Sequence, residues 1–199
     1  MRLILASASP ARLQTLLAAG LDPEVVVSEV DEDAISAPTA TELVAALAAA
    51  KAQAVAATVT GAALVVGCDS MLEFEGAVLG KPGDEETARQ YWRNMSGKTG
   101  LLHTGHCVIS LPAGETAVEV ATTLVRFAAL SEAEIDAYVA TGEPLQVAGG
   151  FKIDGFGGAF VTGIEGDSHN VVGLSVPLLR NLVARLGVDY HTLWRHDSL

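Results

Sequence analysis

Short apolar runs alternate with helical patterns along the first 70 residues of the chain. The pattern predicts strands at residues 2–6, 24–30 and 63–68, and helices at 10–19 and 41–58. The third strand, with the sequence ALVVGC, is apolar throughout, as expected for a strand that is buried on both faces. Strands that alternate with helices usually belong to one sheet that the helices cover. The chain is therefore predicted to have an α/β fold.

The rest of the chain continues this mixture with longer strands. The predicted elements are a hairpin turn at 75–76, a helix at 84–95, paired strands at 101–111 and 116–128, a helix at 131–140, a glycine-rich, strand-like region at 142–173, and helices at 176–186 and 190–194. We find no internal repeat, low-complexity tail or linker in the sequence. We therefore expect a single domain over residues 1–199.

The charge balance excludes one class of ligand. The chain has 12 Lys and Arg residues and 24 Asp and Glu residues, a net charge of -12, whereas binding to a nucleic-acid backbone needs a surplus of cations. A phosphorylated small molecule is not excluded, because it needs only a few cations at one site. The alanine-rich stretch 43–57 is too short and too polar to span a bilayer. The two cysteines are too few for a disulfide scaffold and fit a reducing cytoplasm. From these observations together, we expect a soluble cytoplasmic protein with no membrane or nucleic-acid partner.

The segment LASASPAR, residues 5–12, places serines and an arginine where a strand runs directly into a helix. Ser9 is a candidate N-cap, and Pro10 suits the first helical position. Free backbone N–H groups at a helix start, with hydroxyls beside them, can bind an anion. Arg12 is unfavourable at the positive end of the helix dipole unless an anion lies nearby, and its two-pronged donors suit a phosphate. The alternative is an exposed arginine at an ordinary helix start.

Carboxylates follow two of the predicted strands. Asp69 and Ser70 come directly after the ALVVGC run, and Asp31, Glu32 and Asp33 follow the strand at 24–30. Carboxylates at the carboxyl ends of two strands could converge on one divalent cation that prefers oxygen ligands. The alternatives are a turn or capping aspartate at 69 and a solvated loop at 31–33.

Two lysines stand out by their context. Lys51 continues the helical stripe of Val44, Leu47 and Val55 on an otherwise apolar face, so its ammonium group either reaches outward to solvent or serves a binding site. Lys81 precedes Pro82, which favours an extended backbone and a stiff presentation of the ammonium group. Neither lysine on its own decides between a surface role and a functional role.

Taken together, these segments resemble the Maf proteins, nucleoside triphosphate pyrophosphatases that are also described as septum-formation inhibitors. The details are similar to the actinobacterial branch, and the matching segments keep the family's order over nearly the whole chain. These segments are LASASPAR at 5–12, VDED at 30–33, AAAKAQA at 48–54, GCDSM at 67–71, GKPGD at 80–84, MSGKTG at 95–100, GEPLQVAGGFKIDGFGGAFVTGIEGD at 142–167 and NVVGLSVPLL at 170–179.

The resemblance implies an elongated mixed sheet flanked by helices, with two lobes around a central cleft, as in inosine triphosphate pyrophosphatases. It implies hydrolysis of a nucleoside triphosphate between the α- and β-phosphates, with a divalent cation (Mg or Mn), and it suggests a homodimer. The resemblance also implies a role for each residue. Asp69 would accept a proton from water, and the metal would be bound by Glu32 and Asp69. The triphosphate would be held by Ser7, Arg12, Lys51 and Lys81, and the nucleobase would be selected by Ser70 and Asp154 together with Arg12.

The chain departs from the family pattern at four positions. Ala11, Ser70, Gly100 and Asp154 stand where members often have Arg, Thr, His and Gln respectively. An ionised Asp only accepts hydrogen bonds, whereas Gln also donates them, so Asp154 is predicted to shift selectivity away from thymidine and uridine triphosphates. A regulatory protein that binds a nucleotide or a division partner without turnover is the alternative function.

Overall fold

The computed structural model describes residues 1–195, and its first five main elements confirm the predicted alternation. They are β1 Arg2–Leu5, α1 Pro10–Ala18, β2 Glu24–Val25, α2 Ala40–Ala56 and β3 Ala63–Phe74. The later elements are β4 Ala77–Leu79, α3 Glu85–Met95, β5 Thr99–Leu111, β6 Glu115–Phe127, α4 Glu132–Ala140, β7 Val161–Glu165, α5 Ser168–Val172 and α6 Val176–Arg185. Short 3-10 turns lie at Glu32–Ala34, Glu143–Gln146, Ala148–Gly150, Phe156–Phe160 and Tyr190–Leu193.

The strands form one mixed sheet, which confirms the predicted α/β class. Its order is β2-β1-β3-β5-β6-β7, and β4 pairs with β3. β1 runs parallel to both β2 and β3, whereas β3–β4 and β6–β7 are antiparallel. Within residues 1–195, none of the helices combines the length and apolar character that a membrane crossing requires.

The described chain divides into two compact units. Unit 1 contains residues 1–69, 104–121 and the chain from 173 onward, and unit 2 contains residues 70–103 and 122–172. This division agrees with the predicted lobes, while the cleft and the single domain over 1–199 stay predictions.

Each unit has its own apolar core. In unit 1, α1 and α6 pack on one face of the sheet and α2 packs on the other. In unit 2, the core surrounds Trp92, whose ring meets Phe127, Tyr138 and Phe160 edge to face at centroid distances of 5.6, 5.3 and 5.8 Å. The Trp92 indole N–H donates to the carbonyl of Gly150 at 2.8 Å, which satisfies its polar atom inside this core.

Local signals predicted several helix ends correctly. The Ser9 side chain caps α1 by accepting the Arg12 N–H, and Ser131 forms a capping box with Glu134 at the start of α4. The helix predicted to start at 41 begins one residue earlier, at Ala40, because Thr39 is its cap: Thr39 accepts the Glu42 N–H at 3.2 Å and also donates to the Glu42 carboxylate. A Thr with Glu three residues later is the favoured capping pair.

Four predicted strand or helix bounds are wrong. β2 has two residues instead of seven. β3 continues six residues beyond Cys68, because Leu72 and Phe74 point into the core of unit 2 and pair with β4. The region 142–173 is mostly turns, with one strand and one short helix, because Gly142, Gly149 and Gly150 adopt left-handed backbone angles. The helix predicted at 190–194 is a single 3-10 turn.

Candidate functional site

Lys51 lies at the centre of a charged group in unit 1. Its Nζ is 2.8 Å from Oε1 of Glu32 and 2.5 Å from Oδ1 of Asp69. Lys51 and Asp69 are only 7% and 5% exposed, whereas the Glu32 side chain is 44% exposed. The ammonium group therefore bridges one buried carboxylate and one that is open to solvent. Lys51 shares the buried face of α2 with Val44, as the stripe predicted.

Asp69 occupies an interior position of β3, not the turn after it. The sequence places it after the apolar run, but the strand continues to Phe74, so the predicted position at a strand end is wrong. Its Oδ1 accepts from Lys51, while Oδ2 is buried and has no hydrogen-bond partner among residues 1–195. A buried carboxylate oxygen without a partner is costly. Oδ2 is thus suited to a ligand such as a cation or a water molecule.

Two glycines allow α2 to approach the sheet closely enough for this contact. A Cβ on Gly67 of β3 would lie 2.2 Å from the carbonyl oxygen of Ala48, and a Cβ on Gly105 of β5 would lie 2.1 Å from that of Val44. The helix backbone therefore packs directly on both strands, about one and two turns from Lys51. Sequence reasoning missed both positions, although a glycine inside a strand run is a signal of close backbone approach.

Ser7 and Arg12 form a second polar group at the start of α1. The Arg12 Nε–H donates to the carbonyl of Gly173 at 2.7 Å, and its Nη1 donates to Oγ of Ser7 at 3.2 Å. Ser7 Oγ also accepts the Ser9 N–H at 3.2 Å. Both side chains are buried, which excludes the alternative of an exposed surface arginine. The arrangement keeps a guanidinium and a hydroxyl beside a helix N-terminus, a combination that suits a phosphate.

The two groups lie close to each other within unit 1. β1 and β3 are parallel, with Leu5 opposite Val66, and the Ala6 N–H donates to the Val66 carbonyl at 2.8 Å. The chain therefore reaches Ser7 and Asp69 within a few residues of this pairing. Cys68, next to Asp69, is within electrostatic reach of both Arg12 and Lys51.

His106 supports the Arg12 group from β5 and was not predicted to do so. Its Nδ1 lies 2.9 Å from the Thr104 carbonyl, so this nitrogen carries the proton, and its Nε2 accepts the Ser175 N–H at 2.8 Å. Ser175 is two residues from the Gly173 carbonyl that binds Arg12. The buried histidine thus holds the segment that orients the guanidinium.

Cys68 is not equipped to act as a nucleophile. Burial is the largest cause and raises the pKa of its thiol to about 12; the charge of Arg12 opposes this as the next largest effect, and the charge of Asp69 adds to the rise. The thiol is therefore neutral at physiological pH, whereas nucleophilic cysteines have a lowered pKa. This leaves Asp69, Glu32, Lys51 and Arg12 as the groups that can act on a charged ligand.

The remaining predicted residues belong to unit 2. Ser70 is half-buried in β3, while Lys81 and Asp154 are exposed in loops. Asp154 Oδ1 lies 3.8 Å from Nζ of Lys152. The structure thus brings Glu32, Lys51 and Asp69 together, and the substrate contacts of Ser70, Lys81 and Asp154 stay predictions.

The carboxylates fit a divalent cation that a phosphate helps to hold. Among residues 1–195, no three or more His, Cys, Asp or Glu side chains are grouped as a complete metal site. Mg²⁺, however, is usually bound by one or two carboxylates together with substrate phosphates and water. Glu32 and Asp69 supply two carboxylates, and the buried Oδ2 of Asp69 has an unused lone pair.

Comparisons with known proteins identify the family. The model of the family described as Maf-like protein matches residues 2–186. A nucleoside triphosphate pyrophosphatase of Salinispora tropica is 54% identical over 202 residues, covering 100% of this chain and 89% of the relative. A relative of the same name from Streptomyces coelicolor is 55% identical over 195 residues, covering 97% of this chain and 94% of the relative.

Two solved structures also match, at low identity. The Staphylococcus aureus Ham1 protein has a TM-score of 0.42 and 18% identity, over 64% of this chain and 72% of that one. A nucleoside-triphosphatase / dITP/XTP pyrophosphatase from Mycobacterium abscessus has a TM-score of 0.38 and 14% identity, over 65% of this chain and 76% of that one. The family match spans most of the chain, and the curated relatives are more than half identical to it. The chain belongs to the Maf family.

Proposed function

We propose that the protein hydrolyses nucleoside triphosphates between the α- and β-phosphates, releasing a nucleoside monophosphate and pyrophosphate. The observation that carries this proposal is the Lys51 group, in which one buried ammonium bridges Glu32 and Asp69. This group lies in a chain that is more than half identical to proteins named nucleoside triphosphate pyrophosphatases. These names favour an enzyme over a regulatory protein that only binds a nucleotide.

Ser7 and Arg12 bind the phosphates in this proposal. A triphosphate carries several negative charges, and its hydrolysis needs fixed donors and cations where charge develops in the transition state. Arg12 is already oriented by the Gly173 carbonyl and Ser7, so little side-chain entropy is lost on binding. The net charge of -12 does not oppose binding, because the cations act locally.

Asp69 accepts the proton of the attacking water. Lys51 holds Oδ1 and leaves Oδ2 for the water or for a cation. A positioned carboxylate general base accelerates such a step by about 10²–10⁴-fold. Lys51 also keeps the two carboxylates in place and offsets their repulsion of the substrate.

A divalent cation, Mg²⁺ or Mn²⁺, would be held by Glu32 and Asp69. When bound, it neutralises phosphate charge and lowers the pKa of a bound water. Lys81 supplies a further cation for the phosphates, and Ser70 and Asp154 contact the nucleobase. We also expect a cytoplasmic homodimer; the two cysteines, both free and buried, accord with a reducing compartment.

Product analysis tests the proposed reaction. The purified protein is incubated with each natural nucleoside triphosphate and with Mg²⁺, Mn²⁺ or a chelator, and the products are identified by phosphorus NMR. We expect monophosphate and pyrophosphate in equal amounts, and no turnover with the chelator. A diphosphate with inorganic phosphate would show that another bond is cleaved. Binding without turnover under every metal condition would favour the regulatory alternative.

A further inference from the structure

The loop at residues 152–157, which carries Asp154, is fastened on both sides of that residue. On one side, the Lys152 N–H donates to the Tyr138 hydroxyl at 3.2 Å. On the other side, the Glu143 carboxylate accepts the Phe156 N–H at 3.0 Å and the Gly157 N–H at 2.9 Å. The backbone of the 152–157 loop therefore has fixed ends within unit 2.

Glu143 and Tyr138 also bind each other. The Tyr138 hydroxyl donates to Oε1 of Glu143 at 2.9 Å, so the carboxylate accepts three hydrogen bonds in all. Burial, and next the hydrogen bond to Glu143, raise the pKa of the Tyr138 phenol, so it stays a donor. Trp92 and Phe160 hold the Tyr138 ring at centroid distances of 5.3 and 5.4 Å. The pair is thus anchored in the core of unit 2.

Two glycines of the loop make room for this pair. A Cβ on Gly155 would lie 2.1 Å from Oε2 of Glu143, and a Cβ on Gly157 would lie 2.5 Å from the Tyr138 hydroxyl. Any other residue at either position would displace the carboxylate or the hydroxyl. The sequence and the hydrogen bonds therefore agree on one arrangement of the loop.

The side chain of Asp154, by contrast, is positioned mainly through its backbone neighbours. This side chain is 41% exposed, and its Oδ1 lies 3.8 Å from Nζ of Lys152. An exposed pair at this distance contributes little. The direction of the carboxylate is therefore governed by the fixed ends of the loop.

We propose that Glu143, together with Tyr138, is a positioning residue for nucleobase selection, because it fixes the loop that presents Asp154. This inference rests on the proposed function, in which Asp154 contacts the base. Discrimination by a hydrogen-bonding group requires that the group be held in place before the substrate binds. In this proposal Glu143 acts through the loop and does not itself contact the substrate.

The substitution Glu143→Gln breaks this arrangement with little change of volume. An amide has one accepting oxygen, and its NH₂ group must face at least one of the donors that the carboxylate now binds. Tyr138→Phe tests the same claim from the other end of the loop, because it removes the acceptor for the Lys152 N–H. Glu132→Gln is the matched control, since Glu132 is an exposed residue of α4 that pairs with Arg93 on the surface.

The readout is the ratio of kcat/KM for pyrophosphate release between the best and the poorest of the natural triphosphates. Asp154→Asn is measured beside the three variants above. We expect Asp154→Asn and Glu143→Gln to reduce the ratio by about tenfold, Tyr138→Phe to reduce it in the same direction, and Glu132→Gln to leave it unchanged. Hydrogen exchange of the Phe156 and Gly157 amides should be faster in Glu143→Gln. A general loss of activity would lower all substrates together and leave the ratio constant.

Each other outcome has a definite meaning. If Asp154→Asn changes the ratio but Glu143→Gln and Tyr138→Phe do not, Glu143 is not a positioning residue and the inference is wrong. If Asp154→Asn leaves the ratio unchanged, Asp154 does not select the base. The inference is then wrong together with that part of the proposed function, but the proposed hydrolysis is not affected. Thermal melting checks that each variant folds. If Glu143→Gln does not fold, the comparison of Tyr138→Phe with the wild-type protein decides the test.

Discussion

The charged residues of unit 1 and of unit 2 are held in two different ways. Lys51 and Asp69 are buried and bind each other directly, whereas Lys81 and Asp154 are exposed on loops. A buried charge is stable only with a partner, so the folded state itself sets the geometry of the Lys51 group. The exposed residues depend on the backbone that carries them. Changes in unit 1 should therefore affect stability and activity together, and changes in unit 2 mainly activity.

Replacing the two lysines in turn tests this contrast most strongly. Lys51→Met leaves the buried Asp69 carboxylate without its ammonium partner, which should lower the free energy of unfolding by about 3–5 kcal/mol. Lys81→Met removes an exposed charge and should change it by less than about 0.5 kcal/mol. Urea denaturation measures both variants, and pyrophosphate release should fall in both. Equal losses of stability would contradict the comparison.

A pair of glycine substitutions tests the close approach of α2. In unit 1, a Cβ on Gly67 would collide with the Ala48 carbonyl, so Gly67→Ala should cost about 1–3 kcal/mol of stability. It should also lower kcat, because Lys51 moves away from Asp69 with the helix. Gly163→Ala in β7 is the control, since a Cβ there meets no atom within 4 Å. Wild-type kcat in Gly67→Ala would mean that the Lys51 distance does not depend on this packing.

The smallest effect concerns Cys68 at alkaline pH. Burial raises the pKa of this thiol from 9.0 to about 12, so above pH 9 the unfolded chain loses the proton while the folded chain keeps it. The stabilisation is complete below pH 9 and is lost as the pH rises toward 12, with a slope of at most about 1.4 kcal/mol per pH unit. Cys68→Ala should show a shallower alkaline decline in urea denaturation between pH 8 and 10.5. The readout is the slope of the free energy of unfolding against pH, because the smaller alanine side chain lowers stability by the same amount at every pH. A slope equal to that of the wild-type protein would contradict the prediction.

Local signals explain what the sequence could predict. The cap at Ser9 acts within a few residues and was predicted correctly, and the helix predicted at 131–140 starts at a capping box that is equally local. The length of β3 was not, because its continuation past Asp69 depends on pairing with β4 and on the core of unit 2. The turns of 142–173 depend on left-handed glycines that a strand pattern does not reveal.

The same distinction applies to the candidate site. Lys51 could be singled out because it interrupts an apolar stripe, and its contacts with Glu32 and Asp69 agree with the resemblance. The partners of Gly67, Gly105, His106 and Glu143 could not be predicted, because these contacts join segments that lie apart in the sequence. A single sequence shows which side chains can act, whereas the residues that position them follow from the packing.

Asp69→Asn is the most direct test of the Lys51 group as the reacting centre. The amide keeps the shape of the side chain but cannot accept a proton from water or bind a cation as a carboxylate does. We expect pyrophosphate release to fall by about 10²–10⁴-fold, while a triphosphate analogue with a methylene bridge between the α- and β-phosphates still binds. Release at the wild-type rate from a folded Asp69→Asn protein would contradict the assignment.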